Sequence, residues 1–297
     1  MSIQITSVSK LYKDQKALND ISFSAKKGEI IGFLGPNGAG KSTMMKILTG
    51  FIKPNSGTVL VDEIDVLEKP IESQKNIGYL PEHNPLYAEM YVREYLQFRA
   101  QIYKVDKSQV EICIEKVGLT AEAHKKINQL SKGYQQRVGI AAAILHNPSV
   151  LILDEPTTGL DPNQLVEIRA LIKELGKEKT VLLSTHIMQE VEAVCDKVVI
   201  IKKGEILLEE DLKNLNQKKQ QIIEVTFSAK LDEQLFSQLT HLNSTKKVND
   251  TTWQLSFSSE EDMRPKVFDF AKQHDLQILE LSSKNKNLET LFREVTA

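Results

Sequence analysis

The feature of this chain that most constrains its fold is the run GPNGAGKST at residues 35–43. It fits the pattern G-x-x-x-x-G-K-[ST], in which backbone N–H groups wrap phosphates, a lysine neutralises their charge and a hydroxyl ligates Mg²⁺. A strand-like apolar segment at residues 29–34 precedes the run, and residues 41–48 have helical spacing. This strand–loop–helix context predicts an α/β fold that binds a nucleotide. The residues predicted to surround its phosphates are Gly35, Pro36, Asn37, Gly38, Ala39, Gly40, Lys41, Ser42 and Thr43.

Two adjacent carboxylates follow the apolar run of residues 150–153 in the sequence VLILDEPTTGLDP. In open α/β sheets the carboxyl ends of the strands border the ligand crevice, so Asp154 is predicted to help hold Mg²⁺. Glu155 would point to the opposite face of the strand and could orient or deprotonate the attacking water. The alternative is a solvated acidic pair at a strand exit; the phosphate loop upstream favours the catalytic interpretation.

One histidine stands close in sequence to these elements. His186 follows the strand-like segment that begins at Thr180, and this strand is expected to neighbour the one that carries the acid pair. The imidazole is therefore predicted to contact the γ-phosphate of the nucleotide. A lone histidine is more often a structural residue or a cap, and that interpretation is kept for the other five histidines.

A second anion site is predicted at residues 130–141, LSKGYQQRVGIA, where Ser131 and Gly133 stand at the expected start of a helix. The N-terminus of a helix presents unpaired N–H groups and the positive end of the helix dipole. The chain would thus carry two phosphate sites that are far apart in sequence.

The order of elements along the chain predicts two domains. Strand-like and helical segments alternate up to residue 208, and residues 58–66 are among those predicted to form a single strand. This alternation is typical of a sheet with helices on its faces. Residues 211–221 are polar and charged, and beyond them IIEVTF and TTWQLSF alternate as strands with one exposed face. Helices are expected at residues 262–273 and 287–295. We therefore predict a first domain at residues 1–216 and a small α+β domain at residues 217–297.

Composition excludes several functional classes. A net charge of −2 argues against a nucleic-acid partner that is held mainly through phosphates. Two isolated cysteines form neither a disulfide framework nor a metal site, so a reducing compartment is expected. The chain lacks 18 consecutive apolar residues and its first residues do not read as a signal peptide. The expectation is a soluble cytosolic protein.

Taken together and in this order, the motifs resemble the ATP-binding subunits of ATP-binding-cassette (ABC) transporters over residues 1 to about 210. The resemblance implies a P-loop NTPase cassette of the ABC type, with a RecA-like core, an N-terminal antiparallel β subdomain and a helical signature subdomain. It implies that ATP and Mg²⁺ are the ligands. It further implies that Tyr12 stacks on adenine (packing in a strand is the alternative), that LSKGYQQR is the signature, that Asp161 lies in a contact loop and that His186 is the switch histidine.

The resemblance also implies the partners. In this family the signature helix closes over ATP held by a second copy, packed head to tail, so Ser131 and Gly133 would donate to the partner's γ-phosphate. Transport would pass through separate transmembrane permease subunits, and the chain would lie peripherally on the inner face of the cell membrane. Residues 82–95 are the expected docking surface for the permease; an ordinary surface helix and loop is the alternative.

Two departures from the family pattern are relevant to the chemistry. The usual signature LSGGQ is replaced by LSKGY, which keeps the serine and the second glycine. The glutamine usually found near residue 80 is replaced by Glu82, which can ligate Mg²⁺ but adds negative charge beside the γ-phosphate. Slower or differently coupled turnover is the resulting hypothesis.

The segments YLPE at residues 79–82 and NLETLFREVT at residues 287–296 resemble a subgroup that serves export-type permeases. Within it, the likeness is to the gliding-motility-associated ATP-binding subunits of Bacteroidota-type bacteria. The alternative is a soluble ABC-type ATPase without a transport role, acting in cofactor assembly or regulation. ABC proteins of ribosome function generally carry two cassettes, and those of DNA repair carry a long coiled coil before the signature; neither fits this chain.

Overall fold

Short apolar segments form the strands at the centre of the first part of the chain, because such runs suit strands that are covered on both faces. In chain order the strands are β1 (Ile3–Tyr12), β2 (Gln15–Ala25), β3 (Ile30–Leu34), β4 (Ser56–Val61), β5 (Ile64–Asp65), β6 (Ile77–Leu80), β7 (Val150–Asp154), β8 (Thr180–Thr185), β9 (Lys197–Lys202) and β10 (Glu205–Asp211). The helices are α1 (Lys41–Leu48), α2 (Pro70–Lys75), α3 (Val92–Tyr103), α4 (Ser108–Lys116), α5 (Lys132–Ile144), α6 (Pro162–Gly176), α7 (Met188–Val194) and α8 (Leu212–Gln217).

The computed structural model describes residues 1–217, 220–259, 261–283, 288–289 and 291–292. The chain divides into two units, Met1–Leu212 and Lys213–Val295, which we call the cassette and the C-terminal unit. The division lies at the start of α8. None of the described helices is both long enough and apolar enough to cross a membrane.

The main sheet of the cassette has the strand order β10-β9-β3-β8-β7-β6 and is parallel except for β10. The strand that enters the phosphate loop, β3, pairs with β8, and β8 pairs with β7. The carboxyl ends of these three strands therefore meet at one edge. This edge carries the phosphate loop, the acid pair and His186.

Both faces of this sheet are covered, which explains its near-continuous apolar strands. On one face, Phe33 and Ile152 pack with α1 and with the antiparallel sheet β2-β1-β4-β5. On the other face, Leu153 and Leu183 pack in a core built from α3 to α7. The predicted organisation, an α/β core with an antiparallel β subdomain and a helical subdomain, is observed.

The C-terminal unit contains β11 (Gln220–Phe227), β12 (Leu242–Lys247), β13 (Thr252–Ser258), α9 (Arg264–Gln273) and β14 (Ile278–Ser283). Its strands pair antiparallel in the order β12-β13-β11-β14. Alternate residues of β11 and β13 are buried against α9 and a 3₁₀ turn at Glu233–Gln238. The core includes Phe227, Phe236, Trp253 and Phe270.

One expected strand is interrupted. Residues 58–66 read as a single strand, but the chain turns at Asp62 and Glu63, which have φ of 47° and 65°. Asp62 accepts hydrogen bonds from the hydroxyls of Ser2 and Ser149, and these bonds stabilise the turn. The helix predicted at residues 287–295 lies mostly outside the described residues.

Candidate functional site

The phosphate loop joins β3 to α1 where the backbone passes close to β2. Gly40, just before α1, has φ of 111°, in the left-handed region that favours glycine. A Cβ atom there would lie 2.5 Å from the carbonyl oxygen of Ala17, so a larger residue would displace the backbone. Glycine at this position allows the loop to turn directly into the helix.

The loop faces a cleft of about 490 Å³. The cleft gathers residues from six separate segments of the cassette, and most of the predicted site residues are among them. Its lining is formed by Tyr12, Gln15, Ala17, Asn37, Gly38, Gly40, Lys41, Ser42, Thr43, Glu82, Glu155, Thr158 and His186. Among the remaining loop residues, Ala39 is buried behind the cleft.

Lys41 is held at the floor of this cleft. Its Nζ atom donates to the carbonyl oxygens of Gly35 and Pro36, at 2.8 and 3.3 Å, and lies 3.4 Å from Oε1 of Glu155. The side chain is 6% exposed. The ammonium group therefore points into the cleft with its position already set, as neutralising a phosphate requires.

Asp154 is the last residue of β7 and is 2% exposed. Its Oδ1 atom accepts hydrogen bonds from the hydroxyls of Ser184 and Ser42, the latter at 3.4 Å. Strand register explains the first contact, because Asp154 pairs directly with Ser184 of β8. The two predicted Mg²⁺ ligands from the loop and the strand are thus adjacent.

The third predicted metal ligand, Glu82, lines the same cleft. Burial raises the pKa of Tyr79 to about 12, and the charges of Asp154 and Glu82 contribute to that rise. Hydroxyl and carboxylate oxygens are ligands that Mg²⁺ prefers, and it is commonly held by one or two carboxylates together with substrate phosphates. Within the described part of the chain, no three His, Cys, Asp or Glu side chains form a complete metal cluster. The hydroxyl of Ser42 and the carboxylates of Asp154 and Glu82 are donors that fit Mg²⁺.

The direction predicted for Glu155 is wrong. β7 ends at Asp154, and Glu155 has φ of 50°, so the strand alternation that would send it to the opposite face does not apply. Its N–H bonds to the carbonyl oxygen of Ser184, which fixes this turn. The carboxylate instead faces the cleft, accepts from Thr158 Oγ1 at 3.2 Å and lies 2.9 Å from Nδ1 of His186.

His186 follows the end of β8, beside the strand that carries the acid pair, as predicted. Its imidazole is partly exposed at the cleft, with Nδ1 contacting both oxygens of Glu155. Tyr12 is at the end of β1 and is 46% exposed, so its ring is not packed into the core. The ring is available at the rim of the cleft.

The signature and contact-loop residues lie at a second, smaller cleft of about 180 Å³. Ser131 caps α5, and its Oγ accepts from Tyr134 N at 3.4 Å and from Gln164 Nε2 at 3.1 Å. Asp161 caps α6 by accepting from Gln164 N at 2.9 Å. Gly133 packs against the same Gln164 side chain. None of the residues lining this cleft also lines the phosphate cleft.

Three polar residues were missed by sequence reasoning, namely Ser184, Thr158 and Gln164. Ser184 bonds to Asp154, Thr158 bonds to Glu155 and Gln164 joins Ser131 to Asp161. Thr158 had a detectable signal, because it stands three residues after Glu155. The other two are identified only when the order of the strands and helices is known.

Comparison with known proteins identifies the family. The model of the family described as ABC transporter matches residues 18–158, and a model for an AAA domain matches residues 126–192. An uncharacterized ABC transporter ATP-binding protein of Bacillus subtilis, YhcH, is 33% identical over 99% of this chain and 95% of its own length. The chain belongs to the ATP-binding subunits of ABC transporters.

Two further relatives have names that state a role. The linearmycin resistance ATP-binding protein LnrL of Bacillus subtilis is 33% identical to this ATP-binding subunit, over 99% of the chain and 98% of the relative. The bacitracin transport ATP-binding protein BcrA of Bacillus licheniformis is 39% identical over 76% of the chain and 75% of the relative.

Solved structures match the cassette. CbiO1 of Clostridium perfringens, part of the ABC transporter complex cbiONQ, has a TM-score of 0.66 at 31% identity and covers 72% of the ATP-binding subunit and 90% of its own chain. The dimeric post-hydrolysis state of the ATP-binding cassette MJ0796, bound to ADP and Pi, has a TM-score of 0.64 at 29% identity and covers 71% and 98%. The predicted activity, ATP hydrolysis, is confirmed for this family of subunits.

Proposed function

We propose that this subunit hydrolyses ATP with Mg²⁺ between two copies of the chain and thereby energises an export-type ABC transporter. The observation that carries the proposal is the position of Glu155. Its carboxylate lies at the phosphate cleft between the Lys41 ammonium, 3.4 Å away, and Nδ1 of His186, 2.9 Å away. A base, a cation and a hydrogen-bonding ring thus converge where the outer phosphate of ATP would lie.

The residues have distinct roles in this reaction. A water oxygen attacks the γ-phosphorus while the bond from that phosphorus to the bridging oxygen breaks, which yields ADP and phosphate. Glu155 accepts the proton that the water loses, and His186 orients Glu155 and donates a hydrogen bond to the γ-phosphate. Lys41 neutralises charge on the outer phosphates, and Tyr12 stacks on the adenine ring.

Mg²⁺ would be held by Ser42, Asp154 and Glu82 together with the phosphates, because Ser42 and Glu82 line the cleft and the Ser42 hydroxyl contacts Asp154. The ion would supply positive charge beside the β- and γ-phosphates. Ser184 keeps the Asp154 carboxylate in place through its hydroxyl group. With Glu82 in place of the amide usual in the family, we propose slower or differently coupled turnover.

A second copy of the chain would complete the site. Ser131 and Gly133 stand at the start of α5 beside Asp161, in a cleft that shares no lining residue with the phosphate cleft. A head-to-tail pair would bring this helix start to the phosphates of the partner's ATP, where free N–H groups favour an anion. The solved MJ0796 cassette is a dimer, which supports this arrangement.

The proposed docking surface for a transmembrane permease extends from residue 82 to residue 95. Beside it lies a third cleft, of about 340 Å³, lined in part by Asn84, Pro85, Tyr95 and Phe51. Exposed aromatic side chains surround it; Phe51 is 78% exposed and Tyr87 56%. Apolar surface of this kind is typical of a protein–protein contact. The subunit would then be cytoplasmic and bound peripherally to the inner face of the membrane.

The export assignment is supported by relatives whose names state antibiotic resistance or antibiotic transport. The match to LnrL extends over nearly the whole chain, including the C-terminal unit. A role linked to gliding motility is the finer part of the proposal, and its support is the sequence likeness at residues 79–82 and 287–296. Most of the second segment lies outside the described residues.

Glu155→Gln tests the catalytic part of the proposal. The amide cannot accept the proton, so the purified variant should bind ATP, hydrolyse it at least about 100-fold more slowly and dimerise when ATP and Mg²⁺ are added. Steady-state hydrolysis and light scattering measure these properties. The matched control is Glu224→Gln in the C-terminal unit, which should leave the hydrolysis rate and the oligomeric state as in the wild type. A Glu155→Gln variant that hydrolyses ATP at the wild-type rate would refute the assignment of the base.

The transport part is tested by membrane association in the native host. Phe51→Glu and Tyr87→Glu should release the subunit from washed membranes, whereas Phe268→Glu, on the C-terminal unit and 58% exposed, should not. If the wild-type chain never sediments with membranes and no permease purifies with it, the soluble ATPase without a transport role is favoured instead.

A further inference from the structure

Glu190 is a buried carboxylate for which the proposed chemistry has no role. It lies in the first turn of α7, with no exposed surface. Within the part of the chain that the structure describes, its two oxygens accept from hydroxyl groups rather than from cations. Oε1 accepts from Thr157 Oγ1, and Oε2 accepts from Thr185 Oγ1 at 2.8 Å. Burying a carboxylate with only neutral partners is costly, so this arrangement calls for a function.

The two threonines stand beside the two residues that orient the proposed base. Thr157 precedes Thr158, whose hydroxyl donates to Glu155 Oε2 at 3.2 Å. Thr185 precedes His186, whose Nδ1 lies 2.9 Å from the same oxygen. Glu190 therefore bonds to both segments, Thr157–Thr158 and Thr185–His186, whose second residues contact the Glu155 carboxylate.

Thr185 also contacts the phosphate loop. The Thr185 hydroxyl also accepts a hydrogen bond from Ile187 N at 3.1 Å, which fixes its proton toward Glu190. The carbonyl oxygen of Thr185 accepts from Gly35 N at 3.3 Å. A shift of Thr185 would thus move His186 relative to the start of the phosphate loop.

We propose that Glu190 is a positioning residue for ATP hydrolysis, acting through hydrogen bonds to Thr157 and Thr185 that hold Thr158 and His186 against Glu155. This inference rests on the proposed role of Glu155 as the base. It differs from a purely stabilising role, in which loss of Glu190 would lower the melting temperature and leave the rate per folded molecule unchanged.

The test uses the full chain and compares two buried threonines of the same strand, β8. Thr185→Val removes the bond to Glu190 together with the bond from Ile187 N. Thr180→Val is the matched control, because Thr180 is equally buried and its hydroxyl also bonds to a neighbouring segment, donating to Lys26 O at 3.2 Å. Hydrolysis rates per folded molecule, KM for ATP and melting temperatures are measured for both.

We expect Thr185→Val and Glu190→Ala to lower kcat roughly 10- to 100-fold, because small displacements of catalytic groups cost factors of this order. KM for ATP should stay within about twofold, since neither side chain lines the phosphate cleft. Thr180→Val should lower the melting temperature and keep the wild-type kcat. Glu190→Gln should keep kcat within about fivefold, because an amide can accept from one hydroxyl and donate to the other.

A double variant provides a readout that a stabilising role would not change. In the Glu155→Gln background, Glu190→Ala should lower the residual rate by a clearly smaller factor than in the wild-type chain, because Glu190 acts on Glu155 through Thr158 and His186. Equal kcat for Thr185→Val and Thr180→Val would overturn the inference, as would full activity of Glu190→Ala. If Glu190→Ala does not fold, the threonine pair decides. Retained hydrolysis in Glu155→Gln would instead refute the proposed base.

Discussion

The two units of the chain differ most plainly in their glycines. All fourteen lie between residues 28 and 204, in the cassette, and residues 213–297 contain none. The C-terminal unit reaches left-handed backbone with His241 and Asp275 instead. The cassette needs glycine where the backbone passes close to a neighbouring strand, as at Gly40.

The units also differ in what they bury. Among the described residues of the C-terminal unit, Thr252 is the buried polar side chain. The cassette buries five Lys, Asp and Glu side chains, and all of them except Lys179 belong to the phosphate cleft or to the hydrogen bonds behind Glu155. They are Lys41, Asp154, Glu155, Lys179 and Glu190. Since burying charge is costly, its concentration in the cassette indicates that the functional site lies in this unit. The C-terminal unit has the apolar core of a structural module.

The largest expected effect tests whether the units are independent. Phe236 is fully buried among Phe227, Trp253 and Phe270, so Phe236→Ala should lower the stability of the C-terminal unit by about 3–5 kcal/mol. Calorimetry should then show an early transition, while ATP binding at 25 °C is retained. Phe268→Ala, at an exposed site on α9 of the same unit, should change stability by less than about 0.5 kcal/mol. Loss of ATP binding in Phe236→Ala would break the comparison.

The next effect distinguishes two buried lysines of the cassette. Lys41→Ala removes the ammonium group at the phosphate cleft, so ATP affinity should fall by about 100-fold, as expected for charge-assisted hydrogen bonds. Lys179→Ala removes a lysine that is equally buried but donates to Asn147 and Pro148, away from this cleft. It should lower the melting temperature and leave ATP affinity unchanged. Equal losses of affinity, measured by calorimetric titration, would contradict the assignment.

A smaller effect separates two glycines of the phosphate loop. Both have positive φ, but a Cβ at Gly40 would overlap Ala17, whereas a Cβ at Gly38 would meet nothing within 4 Å. Gly40→Ala should therefore cost about 3 kcal/mol of stability and Gly38→Ala about 1 kcal/mol. Urea unfolding followed through the cassette transition measures both. Similar losses of stability in Gly40→Ala and Gly38→Ala would mean that the close approach of Ala17 is not the reason for glycine at position 40.

The smallest effect concerns the charge that Glu82 adds. Burial and two carboxylates raise the pKa of Tyr79 to about 12 from its ordinary value of 10. The unfolded chain loses this proton first, so the free energy of unfolding should fall as the pH rises from about 10 to about 12. Tyr79→Phe should flatten that dependence.

Glu82→Gln should lower the pKa of Tyr79, because it removes one negative charge near the phenol. Ultraviolet titration, with Tyr79→Phe as the difference reference, measures the change. Glu89→Gln is the control, since Glu89 is exposed and pairs with Lys126. An unchanged Tyr79 pKa in Glu82→Gln would contradict the proximity of Glu82 to the Tyr79 phenol.

Local sequence determined much of the cassette. The strand, loop and helix around residues 35–43 were predicted from neighbouring residues alone, because glycine, a buried strand and helical spacing act within a few positions. The same holds for Ser131, which caps α5 at the expected helix start. The strand predicted at residues 58–66 was wrong because Asp62 takes its partners, Ser2 and Ser149, from distant parts of the chain.

The chemistry of the site was decided by tertiary structure. Continued strand alternation would send Glu155 to the face opposite Asp154. β7 instead ends at Asp154, and the turn that follows is fixed by a hydrogen bond from Glu155 N to the carbonyl oxygen of Ser184 in β8. Ser184 reaches Asp154, and Glu190 reaches Thr157, only because β8 lies between β3 and β7. The sequence by itself therefore determined which residues could bind phosphate and start helices, since those properties are local. Which groups meet at Glu155 depends on strand order and register, which no single segment contains.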